Sequence, residues 1–323
     1  MKRAGRWLAR LALGLGILAA LGFGYRQWGE RRDARAYPMP GRLVNVGDHR
    51  LHIWCIGRGA PTLLMLSGSG APTVSSAELQ VRLAKISRVC SYDRTGLGWS
   101  DPPRRPMSLA ATLADLDGLL AKSGERGPFV LVPESFGGLI ALAFTHRSPS
   151  RVAGIVAVDA TEPQSWLRIS APLQASAIRR DRAWQFGWRT GIIRLLFDSQ
   201  APDWYHTMPP PLKGRFKTVW TRPSASYAND WLDVYRLTPR AQFPRTEPGS
   251  LGDLPIIVIT HGQPSDFLGA GFEATWPQAQ RRWTRLSSRA VQVIAARNGH
   301  PIAQENPALV AREVEHMVAA LRQ

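Results

Sequence analysis

A doubly wound α/β sheet is the fold class this sequence predicts, and three observations predict it. Short, largely apolar runs recur at Thr62 to Leu66, Arg88 to Tyr92, Phe129 to Val132, Ile155 to Val158, Ile256 to Ile259 and Val291 to Ala295. Runs without polar alternation are strands buried on both faces, as a parallel sheet requires. Helical patterns lie between several of them, and strands alternating with helices specify an α/β sheet. The third observation is composition: 323 residues, 44% apolar and 20% charged, give ordinary globular usage and enough chain for a real core. Those values exclude a disordered or low-complexity protein. Two cysteines exclude a disulfide scaffold or a Cys-rich zinc module. No internal repeat is visible.

In chain order, Lys2, Arg3, Arg6 and Arg10 precede Leu11 to Tyr25, which carries no charge. With Trp7, Leu8 and Ala9 included and Arg10 snorkelling outward, the segment approaches the ~20 residues that a bilayer demands. Residues 1–36 are therefore expected to be a membrane anchor and linker, with a short cytoplasmic start and the remainder on the extracytoplasmic side. A signal peptide cleaved near Ala20-Leu21-Gly22, leaving a secreted protein, is the alternative. Arg26, Arg31, Arg32 and Arg35 follow the span and blunt its positive-inside asymmetry. The net charge is +17. Its arginines are scattered, with no basic stripe interleaved with aromatics, so nucleic acid is not expected as a partner. The charge suits an anionic membrane surface, or reflects an Arg-biased composition alone.

Val44-Asn45-Val46, a Gly47-Asp48 turn and Arg50 to Cys55 read as an N-terminal hairpin. Leu109, Leu113, Leu116 and Leu120 follow a Ser108 N-cap, and Asn306-Pro307 starts a last helix. Residues 161–250 carry no convincing strand but hold six of the twelve tryptophans. An insertion between sheet strands sits on the sheet's end, so this one is expected to be a helical cap. Its indoles either line a pocket or pack the cap's own core.

Phe129 to Leu139 reads as a buried strand, a sharp turn and an apolar helix onset. Ser135 in that turn sits where a helix dipole and free N–H groups favour a developing anion. A nucleophilic serine needs a base. Of seven histidines, His300 alone lies in a Gly-His-Pro turn between a final strand and a final helix. His49, His52 and His316 suit packing or surface roles, and His261, after a strand, is a less natural base. Oxyanion donors are expected from the N–H groups of Ser69, in Ser67-Gly68-Ser69-Gly70, and of Phe136.

The order Ser135, acid, His300, with a glycine turn after strand three and an insertion after strand six, resembles the α/β-hydrolase superfamily over residues 41–323. Tyr92 to Asp101 resembles the Asp-x-x-Gly-x-Gly-x-Ser turn of its esterases, epoxide hydrolases and dehalogenases. The resemblance implies a mostly parallel eight-stranded sheet with an N-terminal hairpin and a helical cap after strand six. The implied division is core residues 37–160 and 251–323 around the cap. It also implies acyl hydrolysis without a cofactor or metal, with Ser135 pointing to an acyl-enzyme. Pro133 stands where the family has glycine, which removes a ladder donor. Two acids match family positions: Asp159, directly after the Ile155 to Val158 strand, is preferred, and Asp266, in the loop after Thr260, is the alternative. In the family's strand order Cys55 and Cys90 lie on antiparallel neighbours, either bridged or as two buried thiols. The expected function is a carboxylesterase acting on a small-molecule ester. An aminopeptidase-like or lactonase activity, or a non-catalytic pocket-binding protein, is the alternative.

Overall fold

The computed structural model describes residues 2–167, 171–222, 230–244, 246–265 and 273–323. Its strands are β1 Arg42–Asn45, β2 Arg50–Ile56, β3 Thr62–Leu66, β4 Val89–Tyr92, β5 Phe129–Pro133, β6 Val152–Val158, β7 Ile256–His261 and β8 Ala290–Ala295. They form one eight-stranded sheet in the order β1-β2-β4-β3-β5-β6-β7-β8. The pairs β1/β2 and β2/β4 are antiparallel and the other neighbours parallel. This is the mostly parallel sheet with an N-terminal hairpin that the sequence predicts.

The apolar runs are explained by two cores, one on each face of the sheet. Phe129 and Leu131 of β5 pack with α3 (Leu109–Ser123) and α4 (Gly137–Arg147). Val130 and Val132, pointing the other way, pack with α2 (Ala77–Leu83) and with α13 (Pro307–Leu321) through Val310, Val314 and Met317. Each fully buried aliphatic side chain contributes about 1.5–3 kcal/mol. The helix starts are as read. Ser108 Oγ accepts from Ala111 N–H at 3.2 Å, and Asn306 Oδ1 from Leu309 N–H at 3.1 Å.

Between β6 and β7 the chain forms α5 (Pro163–Trp166), α6 (Ala171–Thr190), α7 (Ile192–Gln200), α8 (Asp203–Thr207), α9 (Pro210–Trp220) and α10 (Asp230–Leu237). Trp188 meets Trp184 at a tilt and Trp220 edge-on, and Phe216 joins Trp220 to Trp204. Trp204 and Trp220 pack against a buried cluster that joins Phe197, Tyr205 and Phe216 of the insertion to Trp54, Val74 and Ala77 of the sheet half of the chain. Three further helices, α11 (Trp276–Trp283), α12 (Ile302–Glu305) and α13, complete the second half of the chain.

The N-terminal segment is one helix, α1 (Lys2–Ala36), of 35 residues. Among the described residues no helix is long and apolar enough to cross a membrane. That revises the expected transmembrane anchor: Arg10 and Arg26 bound a charge-free stretch shorter than the ~20 residues a bilayer needs. The later part of α1 packs on the insertion instead. A Cβ at Gly22 would lie 2.2 Å from Thr190 O, and Asp33 pairs with the buried Arg194. The earlier part leaves Trp7, Leu11, Leu13, Leu15, Ile17, Leu18 and Leu21 exposed.

Cys55 lies directly across from Cys90 in the β2/β4 register, and the two form a disulfide with a Cα separation of 4.1 Å. Their sequence separation of 35 corresponds to a loop-closure stabilisation of about 3–4 kcal/mol.

Candidate active site

Ser135 sits between β5 and α4 with φ of +48°, a left-handed conformation uncommon for any residue but glycine. Such strain persists only where surrounding structure enforces it. Ser135 O accepts from Gly138 N–H at 2.9 Å and from Thr161 N–H at 2.8 Å. A Cβ at Gly137 would meet Leu66 O at 2.0 Å, so only glycine lets α4 approach β3 this closely. Pro133 ends β5, where it costs one ladder donor. Pairing resumes at once, Glu134 N–H donating to Leu66 O at 2.9 Å and Ser135 N–H to Val158 O at 3.3 Å. The elbow therefore forms with proline in the glycine position.

His300 follows β8 in the turn that leads into α12. Its Nε2 lies 2.9 Å from Ser135 Oγ, and its Nδ1 lies 2.6 Å from Asp159 Oδ2. A carboxylate can only accept, so Nδ1 carries the proton and Nε2 presents a lone pair to the serine hydroxyl. His300 is 4% exposed and Asp159 is fully buried. Asp159, like Ser135, is left-handed, with φ of +44°. Of the two acids weighed from sequence, Asp159 meets His300; Asp266 lies outside the described residues.

Among the described residues, Asp159 is held by four donors. Besides His300 these are His261 Nδ1 at 2.6 Å to Oδ2, and His261 N–H at 3.2 Å and Trp276 Nε1 at 2.9 Å to Oδ1. Burial pushes its carboxyl pKa up, but hydrogen bonds from His261 and His300 outweigh it, and the net shift is downward. Helix α11 fixes the end of β6 further. Gln280 Nε2 and Trp283 Nε1 both donate to Ala160 O, at 2.9 and 3.0 Å. Trp276, Gln280 and Trp283 fall at i, i+4 and i+7, one face of a helix. That spacing was legible in the sequence; its target was not.

The turn Ser67-Gly68-Ser69-Gly70 lies beside the elbow. A Cβ on Gly68 would come within 3.3 Å of Ser135 Cβ. Arg94, buried, donates to Ser67 O and Gly68 O, each at 2.6 Å, and its guanidinium lies 5.1 Å from the Phe136 ring centre. One side chain thus braces the segments carrying both sequence-predicted oxyanion residues, Ser69 and Phe136. Sequence reasoning saw only the glycines of the Tyr92 to Asp101 turn and missed this arginine. Asp93 in the same turn accepts from His52 Nδ1 at 2.8 Å, Thr73 N–H at 2.7 Å and Trp99 N–H at 3.0 Å, a structural role. Glu134, beside Ser135, has its pKa raised by burial and accepts from Ser76 Oγ at 3.1 Å.

Asp159, His261 and His300 are also close enough together to suggest metal ligation. The Nδ1 atoms of His261 and His300 both lie 2.6 Å from Asp159 Oδ2, where each donates its N–H to the carboxylate, so the cluster is a hydrogen-bonded one. A serine on a strained elbow, an imidazole and a buried carboxylate in line form the arrangement used for nucleophilic acyl transfer.

Comparison with known proteins agrees with the fold. The chain belongs to the alpha/beta hydrolase family, whose model matches residues 63–313. An uncharacterized protein of Schizosaccharomyces pombe is 28% identical over 300 residues, covering 83% of this chain and 53% of its own length. A 2-hydroxymuconate semialdehyde hydrolase of Pseudomonas sp. strain CF600 is 33% identical over 174 residues, covering 51% of this chain and 56% of its own. The chain thus spans about half the length of the curated relatives it matches. Among solved structures, the enol-lactonase of Burkholderia xenovorans LB400 superposes with a TM-score of 0.63 at 19% identity, over 86% of this chain and all of that one. A membrane phospholipase A described as a bacterial virulence factor gives 0.62 at 20% identity, over the whole of both chains. These structural likenesses establish the fold alone.

Proposed function

We propose that this hydrolase is a serine carboxylesterase working through an acyl-enzyme. The observation that carries the proposal is the unbroken line Ser135 Oγ–His300–Asp159, at 2.9 and 2.6 Å. In this reading Ser135 Oγ attacks the ester carbonyl carbon while its proton passes to His300 Nε2. Negative charge develops on the carbonyl oxygen and meets the N–H groups of Ser69 and Phe136. The His300 imidazolium, facing the ionised Asp159, returns the proton to the leaving alkoxide, and Ser135 is left as an ester. Water then repeats the sequence: it loses a proton to His300, attacks the acyl carbon, and Ser135 recovers its hydroxyl. The cycle calls for no cofactor. A fluorophosphonate probe is expected to label the full chain on Ser135, and a panel of chromogenic esters graded by acyl length to be turned over. An unlabelled protein would leave a pocket-binding role; labelling with turnover of amides alone would remove the ester assignment, and turnover of lactones alone would replace open-chain esters by cyclic ones.

We propose further that the protein associates with membrane surfaces through α1, with its hydrolase unit in an oxidising, extracytoplasmic compartment. The exposed apolar side chains of α1 and the cations that flank them support the first part, and Phe186, Leu195 and Leu196 of the neighbouring insertion extend the apolar surface. The Cys55–Cys90 disulfide supports the second. The full chain is expected to co-sediment with vesicles containing anionic lipid, and replacing Leu15, Leu18 and Leu21 by Ser to release at least about tenfold more protein. Equal recovery in the supernatant for both would remove the membrane role.

A further inference from the structure

The feature that the acyl-transfer chemistry leaves unused is His261. β6 and β7 are parallel neighbours, Val158 beside Ile259, so His261 lies one residue beyond the level of Asp159 at the ends of their strands. Both nitrogens of the His261 ring meet carboxylates: Nδ1 lies 2.6 Å from Asp159 Oδ2, and Nε2 lies 3.3 Å from Glu273 Oε2. Glu273 is itself fixed, since Ser265 N–H donates to its Oε1 at 2.9 Å. Trp276 stacks on His261, its ring centre 6.4 Å away at 18°. A neutral imidazole has one N–H and can serve one of these carboxylates; an imidazolium serves both.

We propose that His261 is a positioning residue: as an imidazolium bridging Asp159 and Glu273, it fixes the acid's carboxylate and tempers the charge that Asp159 presents to His300. The inference rests on the triad proposed above. Among the described residues, the titratable groups facing the ring are Asp159 from the end of β6, Glu273 from the start of the α11 segment and His300 from the turn after β8. Burial works against a charge on His261, but the hydrogen bond and charge of Asp159, with Glu273 beyond, raise its pKa above the ordinary imidazole value. The His261 and His300 ring centres are 6.4 Å apart. A cation at that distance opposes the imidazolium that His300 becomes during catalysis. Sharing Oδ2 with His300, His261 also prevents Asp159 from turning its lone pairs wholly toward the base.

The test separates geometry from charge. His261→Asn keeps an N–H donor where Nδ1–H stood but carries no charge; His261→Ala removes both; Glu273→Gln removes the carboxylate that favours the charge. Each full-length variant is assayed for kcat and KM on a p-nitrophenyl ester from pH 5 to 9. The ring nitrogens of His261 are followed by NMR without substrate. His261→Asn is expected to lower kcat by about threefold and to move the acid limb of kcat/KM to higher pH by about one unit, because the opposing cation is gone. His261→Ala shows the same shift with kcat down about tenfold and KM unchanged, since the carboxylate is no longer fixed. Glu273→Gln shifts the limb in the same direction by less. NMR is expected to show both His261 nitrogens protonated at neutral pH in the wild type. Acid limbs unmoved in both His261→Asn and Glu273→Gln would overturn the proposal, as would a single protonated nitrogen. Should His261→Ala fail to fold, the other two variants still decide. The NMR titration is read without turnover, so a failure of the triad reading would show separately.

Discussion

Ser135→Ala is expected to lower ester turnover by about 10³-fold or more, leaving only what substrate binding and the oxyanion donors supply. The hydroxyl is 2.9 Å from His300 Nε2, and deleting it removes the atom that would carry the acyl group. Alanine is close to serine in size and faces the same left-handed backbone, so the variant should fold with nearly the wild-type melting temperature. That pairing matters: lost activity with intact folding isolates the chemistry. Fluorophosphonate labelling should vanish together with turnover. Turnover within about tenfold of wild type would sink the nucleophile assignment.

Asp159→Asn is expected to cost about 10³–10⁴ in kcat. An asparagine amide at this position would turn an N–H toward His300 Nδ1 and favour the tautomer with its proton on Nε2. The base would then face Ser135 with a donor where it needs a lone pair. The loss should persist across neutral and alkaline pH. The wild-type carboxyl is held below its ordinary pKa by His261 and His300 against burial, so it stays ionised through that range. Asp266→Asn should remain within about threefold of wild type, the scatter of a residue away from the reacting atoms. Kinetics run in parallel on the two variants decide between the acids. A large loss for Asp266→Asn beside a small one for Asp159→Asn would reverse the assignment.

Much of the fold could be read because a strand in a parallel sheet writes its burial directly into sequence. Phe129 to Val132 is apolar throughout because alternate residues enter opposite cores, and the same holds along β3, β6 and β7. The triad candidates were legible for a related reason: each stands at a strand end, where the backbone changes direction and leaves a Gly, Pro or small-residue signature. His261 stands at a strand end too, without a flanking Pro, and nothing local shows that the end of β6 lies beside it. Arg94 was invisible because its partners are main-chain carbonyls, which no side-chain pattern reports. The α1 segment was legible only in part. Its charge-free stretch reads as spanning a bilayer, but Gly22 at its end, with Gly29 and Asp33 beyond it, answers to Thr190 and Arg194, more than a hundred and fifty residues away. Packing between such distant segments leaves no periodic trace. The insertion's helices were blurred likewise, since Trp, Arg and Pro serve caps, turns and cores alike.

The left-handed backbone at Ser135 and Asp159 bears on how this protein would respond to directed evolution. An L-residue held there costs about 1–2 kcal/mol relative to an unstrained conformation, whereas glycine is at ease. Selection for thermal robustness alone would therefore enrich glycine at both positions, and asparagine at the second, each gain in stability discarding a member of the proposed triad. β-branched residues would be purged by either criterion. Stability and turnover are thus opposed at these two positions, and a library screened for one would drift away from the other.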